Sequence, residues 1–335
     1  MAKKAERPQP NGLFPHYKFK DLKDYILDPT DYFAGKGFLR KAAGTLLIGP
    51  TGMGKSVLAE QFAVCLATGK PLLNKIAVPN PKRVLYIESE NDLDVLQRDI
   101  CSIAKRLKAP EALLQRNLDI RHIFGVTGKK FGEYLEEDCN TFKPEFVVID
   151  HYQSYVDGDL NNSTTFTEWI KPINMIIQTY QISLLIIAHK PKPRDTSEWD
   201  IREGVYSAMG NSVISNWART SCELSPMKYD LRRFKLTFSK NADRTGLRNM
   251  DGSLLYNLFV EHSTDIDHPF WEVCANQTSD TKADMEGSVQ TVVDEHPEWT
   301  MRQIAEHLGC TKSMVGRYYP KDEKGRKEKP NAGRK

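Results

Sequence analysis

The sequence predicts an α/β fold in which a mostly parallel sheet carries helices on both faces, followed by a small all-α unit. First, apolar runs typical of strands alternate with helical patterns across residues 46–190, as in sheets whose parallel strands are joined by helices. Second, a glycine-rich turn connects the first apolar run to an amphipathic helix. Third, two short helical patterns with capping residues lie within residues 299–320. A chain of 335 residues accommodates one large domain and one small one.

The individual elements follow from the spacing of apolar residues and from turn residues. We expect Pro172 to lie near the start of its helix or to kink it, because proline lacks an N–H and clashes with the preceding turn. After residue 212, further strands, some of them antiparallel, are expected to close one edge of the sheet. The polar residues 276–286 are expected to form a linker. The predicted strands are 46–48, 83–89, 117–125, 144–152 and 183–190, and the predicted helices are 57–67, 92–107, 131–142 and 166–181.

The glycine-rich turn has the pattern G-x-x-x-x-G-K-S, which binds nucleotide phosphates when a strand precedes it and a helix follows it. Gly52 and Gly54 permit backbone angles at which consecutive N–H groups converge on a phosphate, beside the positive end of the helix dipole. Lys55 would reach the β- and γ-phosphates, and Ser56 would ligate Mg²⁺. The alternative is a turn that matches by chance, but the flanking strand and helix favour ATP binding. The residues assigned to nucleotide binding are Gly49, Pro50, Thr51, Gly52, Met53, Gly54, Lys55 and Ser56.

Acidic residues and a histidine stand where the other predicted strands end. Asp150 follows an apolar strand and is the candidate for holding Mg²⁺, although it could instead cap the next turn. Glu90 is the preferred general base and Glu88 the fallback, because ligands bind at the carboxyl ends of strands in such sheets and Glu90 is nearer that end. Both could also be solvated acids at a loop edge. His189 could sense the γ-phosphate, or it could be structural.

Composition limits the other function classes. The net charge of +3 does not by itself indicate a nucleic-acid partner. No apolar run is long enough for a membrane span, and residues 1–12 lack the apolar stretch of a signal peptide. We therefore expect a soluble, cytoplasmic protein with reduced thiols and no membrane partner. The cysteines are scattered without metal-ligand spacing, at Cys65, Cys101, Cys139, Cys222, Cys274 and Cys310.

Six motifs in a fixed order carry a family resemblance over residues 35–260. They are GPTGMGKS, ESEND, VVIDHYQSY, LLIIAHKPKP, GNSVISNWART and LTFSKNADRTG. In this order the chain resembles the RecA-like ATPases of the RepA type, which are hexameric replicative helicases and related ATPases of plasmids, phages and mobile elements. The resemblance implies a RecA-like P-loop core, ATP and Mg²⁺ as cofactors, and assembly into a homo-hexamer.

The resemblance also implies roles for single residues. The catalytic glutamate of the family falls on Glu90, and the histidine after the fourth strand falls on His189. An arginine that acts across the subunit interface falls on Arg219, which could equally be a surface residue; Lys240 and Arg244 are similar to the trans-acting positions in the closing turn. The chain departs from the Arg-Gly-Ser-Ser sequence of such helicases, since it reads Met-Gly-Asn-Ser over residues 209–212.

Two loops would face the channel of such a ring, residues 156–166 and residues 190–210. The second is long enough to be functional or disordered, and it is the candidate for contacting single-stranded nucleic acid. Its acidic residues leave open an ordinary mobile loop. Its basic residues Lys190, Lys192, Arg194 and Arg202 would contact phosphates, and Trp199 or Tyr206 would stack on bases.

Residues 299–320 resemble the helix-turn-helix of many regulators. Thr300 and Thr311 are the expected N-caps and Gly309 the turn, with Ile304, Ala305, Leu308 and Val315 on the buried side. The second helix would enter the major groove of duplex DNA. The alternative is that these helices serve only protein packing. The recognition residues would be Lys312, Ser313, Met314 and Arg317.

Taken together, these patterns predict an ATP-hydrolysing, hexameric nucleic-acid motor, most specifically a replicative-type DNA helicase of a mobile element or virus. The alternative is an ATP-gated DNA-binding switch, loader or regulator that does not unwind. The predicted boundaries are 1–34 for a polar segment, 35–275 for the ATPase domain, 276–286 for the linker, 287–320 for the helix-turn-helix and 321–335 for a disordered basic tail.

Overall fold

The computed structural model describes residues 17–159, 162–190, 212–227, 233–263, 268–274, 282–308 and 312–319. Helices and strands alternate through the first half of the chain, as the sequence predicts. The helices are α1 (Phe19–Lys23), α2 (Lys55–Thr68), α3 (Leu93–Leu107), α4 (Glu111–Asn117), α5 (Gly128–Thr141), α6 (Ser163–Tyr180), α7 (Ser212–Trp217), α8 (Lys282–Glu295), α9 (Met301–His307) and α10 (Lys312–Tyr318).

The strands form a two-stranded hairpin near the start of the chain and one large sheet. They are β1 (Tyr32–Ala34), β2 (Leu39–Arg40), β3 (Gly44–Gly49), β4 (Val84–Glu88), β5 (Leu118–His122), β6 (Phe146–Asp150), β7 (Ser183–His189), β8 (Thr220–Pro226), β9 (Arg233–Lys240), β10 (Asn257–His262) and β11 (Trp271–Val273).

The large sheet contains nine strands in the order β11-β10-β9-β8-β3-β7-β6-β4-β5. Neighbouring strands from β8 to β5 run parallel, and β9, β10 and β11 add to β8 in antiparallel pairs. The predicted α/β class with a mostly parallel sheet is confirmed. The antiparallel extension matches the expectation for residues after 212.

Each central strand is buried along almost its whole length because the sheet has a hydrophobic core on both faces. On β3, Leu47 belongs to one core, and its neighbours Leu46 and Ile48 belong to the other. On β4, Tyr86 faces the first core and Ile87 the second. This alternation is the period-two arrangement of a strand that is covered on both sides.

Three predicted boundaries need correction. Pro172 lies in the middle of α6, because that helix begins at Ser163 rather than near residue 166. Residues 212–217 form the helix α7 and not part of a strand. The predicted linker 276–286 overlaps α8, which begins at Lys282. The short helices α1 and α4 and the hairpin of β1 and β2 were not predicted.

The three C-terminal helices pack around a small hydrophobic core of their own. Ile304, Ala305 and Val315 are buried there with Val289 and Val292 of α8. Thr300 and Gln303 form reciprocal hydrogen bonds at the start of α9, as expected for an N-cap. The predicted turn residues 309–311 and the predicted tail 321–335 lie outside the described residues.

No helix in the described ranges combines the length and the apolar character that crossing a bilayer requires.

One buried acid on α2 receives no hydrogen bond to its carboxylate from the described residues. Glu60 is fully buried, and neither of its carboxylate oxygens forms a hydrogen bond with the described part of the chain. Burial, together with the nearby charges of Asp99, Asp150 and Glu88, raises the pKa of Glu60 well above its usual value. The folded protein therefore favours the protonated form of Glu60 more strongly than the unfolded chain does.

We expect Glu60→Gln to stabilise the fold, with a gain that grows with pH. The unfolded chain releases this proton above about pH 4.5, whereas the folded chain retains it, so the wild type loses stability as pH rises toward the folded-state pKa. The free energy of unfolding in urea should rise by roughly 1–2 kcal/mol at pH 8 and change little at pH 5. The matched control is Glu295→Gln, an exposed position on α8. An equal gain at both pH values would contradict a protonated Glu60.

Candidate functional site

The glycine-rich turn lies between the end of β3 and the first residue of α2. Gly52 and Gly54 have φ angles of +77° and +73°, which side chains other than glycine rarely adopt. A Cβ atom on Gly52 would have no heavy atom within 4 Å, so its backbone angle, not crowding, requires glycine there. The N-terminal N–H groups of α2 follow directly, as in a phosphate-binding loop.

Lys55 is buried at the base of this loop. Its Nζ donates a hydrogen bond to the carbonyl oxygen of Pro50 at 2.7 Å and lies 3.1 Å from Nδ1 of His189. Burial lowers the pKa of Lys55 to about 8, against the opposing attraction of Asp150 and Glu90. The ammonium group remains mostly charged at neutral pH and is positioned to exchange the loop carbonyl for a phosphate oxygen.

The carboxylate of Asp150 lies beside the start of α2. Its Oδ2 accepts a hydrogen bond from the Tyr86 hydroxyl at 2.7 Å, and the Ser56 hydroxyl also bonds to this carboxylate. Burial and the neighbouring charge of Glu88 raise the pKa of Asp150. A buried carboxylate next to a serine hydroxyl is an oxygen donor set that a divalent cation would stabilise, so Ser56 and Asp150 fit Mg²⁺.

Glu88, the last residue of β4, and Glu90, two residues after it, have different surroundings. Glu88 is fully buried, and its Oε1 accepts hydrogen bonds from the backbone N–H groups of Ser89, Glu90 and Asn91 at 3.1, 2.6 and 2.9 Å. Glu88 therefore shapes the turn, and its bonded oxygen is not free to act as a base. Glu90 has an exposed carboxylate, 52% accessible, at the carboxyl edge of the sheet. The preference for Glu90 over Glu88 agrees with this geometry.

A second histidine, His151, also lies in the site, and the sequence analysis did not identify it. Nε2 of His151 lies 3.4 Å from Oε1 of Glu90, and the rings of His151 and His189 are 4.4 Å apart in an edge-on arrangement. Burial lowers the pKa of His151, and burial with the charge of Lys55 lowers that of His189 to about 4. Both rings are therefore expected to be neutral at pH 7. The one sequence signal was its place next to Asp150 at the end of a buried strand.

Glu90, His151 and His189 also offer three ligand atoms within 4.8 Å of one another. A cation there would have to coexist with the Lys55 ammonium, which already occupies Nδ1 of His189. The Lys55 ammonium, and not these three side chains, therefore supplies the positive charge for a phosphate here, and its charge opposes binding of a further metal ion.

The comparison with protein families agrees with this geometry. A family model described as an AAA domain matches residues 11–195. The chain belongs to the AAA domain family. The match covers the phosphate loop, Glu90 just after β4, Asp150 at the end of β6 and His189 at the end of β7. No curated protein matches the chain at a significant level.

Membership of the AAA family supports an ATPase-type domain that binds a nucleotide, usually with Mg²⁺. The AAA match ends before β8. The antiparallel strands and the C-terminal helices are thus features beyond the matched region.

Lys190, which the sequence assigns to nucleic-acid binding, has an acidic partner in the structure. Its Nζ is 2.6 Å from Oε1 of Glu223 on β8, and both side chains are largely buried, with accessibilities of 11% and 2%. An ammonium group paired in this way would have to leave Glu223 before it could contact a phosphate backbone, and the assignment itself stays a prediction. The other predicted loop contacts, Lys192, Arg194, Arg202, Trp199 and Tyr206, lie outside the described residues.

The predicted trans-acting residues are not near the phosphate loop of their own chain. The backbone N–H of Arg219, an exposed residue, bonds to the carbonyl of Gly44, at the beginning of β3. Lys240 donates from Nζ to the carbonyls of Ser215 and Asn216 at the end of α7. Arg244 lies in a turn, and its own backbone carbonyl accepts hydrogen bonds from two N–H groups of the β1–β2 hairpin.

The predicted recognition residues lie on α10. Lys312 and Arg317 are exposed there, and Ser313 and Met314 belong to the same helix.

We expect Glu90→Gln to abolish turnover while preserving nucleotide binding. The amide cannot accept the proton of an attacking water, which costs on the order of 10²- to 10⁴-fold in kcat for a positioned base. Steady-state phosphate release and calorimetric titration with ATP would measure both effects.

Two variants serve as controls for this result. Lys55→Ala should lose nucleotide binding, and Glu88→Gln should lower the melting temperature because its carboxylate organises the turn. Full turnover in Glu90→Gln would contradict the assignment of the base.

Proposed function

We propose that this AAA protein is a RecA-like, homo-hexameric motor that couples ATP hydrolysis to movement on nucleic acid. Its most specific form is a replicative-type DNA helicase of a mobile element or virus. Single-stranded DNA would occupy the channel of the ring, and the C-terminal helices would recruit the ring to duplex DNA.

The observation that carries this proposal is the position of Arg219 and Lys240. Arg219 lies beside Gly44, and the phosphate loop begins after Gly49, at the other end of β3. Five residues of strand span about 17 Å, which is far beyond the contact distance needed to stabilise a phosphate. These cations can therefore serve catalysis only at the nucleotide of a neighbouring subunit, as in a ring with head-to-tail interfaces.

The described residues support a division of roles in hydrolysis. Glu90 accepts a proton from the water that attacks the γ-phosphorus, while the bond from that phosphorus to the β–γ bridging oxygen breaks and ADP leaves. Lys55 holds the terminal phosphates, and Ser56 with Asp150 would hold Mg²⁺, which neutralises phosphate charge when bound. His189 contacts both Lys55 and Thr51, so a change at the terminal phosphate reaches β7 directly.

The arrangement of the C-terminal helices supports recruitment to duplex DNA. Helices α8, α9 and α10 share one core, and α10 exposes Lys312 and Arg317. A helix that exposes basic side chains while its other side is buried is suited to the major groove.

One observation favours a second candidate, an ATP-gated switch or loader that does not unwind DNA. The pairing of Lys190 with Glu223 removes a cation from the predicted channel loop. The motor and the switch differ in whether single-stranded DNA accelerates ATP turnover.

We expect single-stranded DNA to accelerate steady-state ATP hydrolysis several-fold, with the protein eluting at the mass of a hexamer. In a motor, DNA in the channel promotes the interface movements that accompany each turnover. Phosphate release with and without an oligonucleotide, with the mass from light scattering, would measure this. A ring-sized mass with a rate unaffected by DNA would favour the switch, and a monomer with full activity would contradict the proposal altogether.

We also expect Arg219→Ala and Lys55→Ala to be inactive alone and active when mixed. In a randomly mixed ring, roughly a quarter of the sites combine an intact Lys55 with an intact Arg219 from the neighbour, as head-to-tail interfaces allow. Lys129→Ala, at an exposed lysine on α5, is the matched control and should be active alone. Mixtures that remain inactive would argue against action across an interface.

For the C-terminal unit, Arg317→Ala should weaken binding to duplex DNA about three- to ten-fold and reduce its salt dependence. Fluorescence anisotropy at several salt concentrations is the measurement. Arg302→Ala removes an exposed arginine from α9 and should change little. Equal losses in the two variants would indicate nonspecific charge attraction.

A further inference from the structure

The last strand of the sheet contacts the phosphate loop directly. Trp271 opens β11 and is almost completely buried. Its indole Nε1–H donates a hydrogen bond of 3.0 Å to the carbonyl oxygen of Gly54. Gly54 immediately precedes Lys55, and a Cβ atom on it would approach the indole to 2.9 Å. The tryptophan therefore packs against the loop as closely as glycine allows.

The backbone of Trp271 is fixed to the same helix at a second point. Its N–H donates to Oε1 of Gln61 at 2.9 Å, and its carbonyl accepts from Nε2 of the same side chain at 2.9 Å. Gln61 is buried on α2, about two turns after the phosphate loop. Three hydrogen bonds thus connect one residue of β11 to both the start and the body of α2.

The hydrogen bond to Gly54 constrains the group that would face a phosphate. In a trans peptide the carbonyl and the following N–H point in opposite directions. The one cis bond in the described chain is elsewhere, between Asp150 and His151. Holding the Gly54 carbonyl toward Trp271 therefore directs the N–H of Lys55 away from Trp271. The carbonyl also accepts the first helical bond, from Leu58 at 3.1 Å, so the indole adds a second restraint on the same peptide.

We propose that Trp271 is a positioning residue for nucleotide binding, which sets the orientation of the phosphate loop from beyond the matched AAA region. It does not contact the reacting atoms. Its effect is on affinity, because it restricts the loop before the nucleotide arrives and lowers the ordering cost of binding. The inference requires only that the loop binds a nucleotide and does not depend on any nucleic acid.

The test is the affinity of Trp271→Phe for ATP and ADP, measured by calorimetry, with kcat and KM measured in parallel. Phenylalanine keeps an aromatic ring in the site and removes the N–H donor. We expect nucleotide affinity to fall by about three- to ten-fold, the range that loss of one hydrogen bond gives. The KM for ATP should rise by a similar factor, while kcat at saturating ATP changes less than two-fold.

The chain provides a matched control in Trp217→Phe. Trp217 donates its own Nε1–H to Oδ1 of Asn174 at 2.8 Å, on the opposite side of the sheet. This variant loses the same kind of hydrogen bond and should bind nucleotide as the wild type does. Equal weakening in both variants, or wild-type affinity in a folded Trp271→Phe protein, would overturn the proposal.

A second variant keeps the test decisive if Trp271→Phe does not fold. Gln61→Met preserves the length of the side chain and removes both hydrogen bonds to the β11 backbone. Its nucleotide affinity should also fall by a factor of three or more, with thermal unfolding recorded to verify that the protein is native. Unchanged affinity in folded Gln61→Met would count against the proposal.

Discussion

The buried carboxylate of Asp150 is the constraint on which the nucleotide site depends. A charge in an apolar interior is costly unless it has hydrogen bonds and an opposite charge close by. Here the hydrogen bonds come from Tyr86 on β4 and Ser56 on α2. Lys55 is near enough for Asp150 to raise its pKa against the stronger effect of burial. Strands β4 and β6 must therefore be neighbours, with α2 across them, which is the sheet order observed.

The direction of the strands determines which residues can meet. Because β3, β4, β6 and β7 are parallel, their carboxyl ends bring the phosphate loop, Glu90, Asp150 and His189 to one edge of the sheet. Arg219 precedes β8 and therefore lies at the other edge. In the proposed ring, the two edges would supply the two halves of each composite site. The ion pair of Lys190 with Glu223 links the end of β7 to β8 across the central strand β3.

Sequence reasoning predicts well the parts of the structure that are determined by residues close together in the chain. The phosphate loop has a fixed spacing, and the buried strands have apolar runs that end at polar residues, so their positions follow from the chain itself, whereas the role of Glu90 as the base stays a prediction. His151, Gln61 and Trp271 depend on contacts between residues distant in sequence, and no local pattern marks them. No local pattern marks the acidic partner of Lys190 either, since it is 33 residues away. Pro172 lies inside α6 and not near its start, because tertiary packing can sustain a helix through a proline; the expected kink stays a prediction.

Strand β3, which leads into the phosphate loop, has two neighbouring strands, and the family match, which ends at residue 195, includes only one of them. Strand β3 pairs with β7, which the AAA match includes, and with β8, which it does not. A fragment ending at residue 195 would leave one side of β3 without hydrogen-bond partners and expose apolar residues that β8 to β11 now cover. An exposed apolar edge of this kind tends to pair with other chains. The family match therefore ends within the sheet, and the strand that carries the phosphate loop depends on β8, which lies beyond the match, for the hydrogen bonds along one of its two edges.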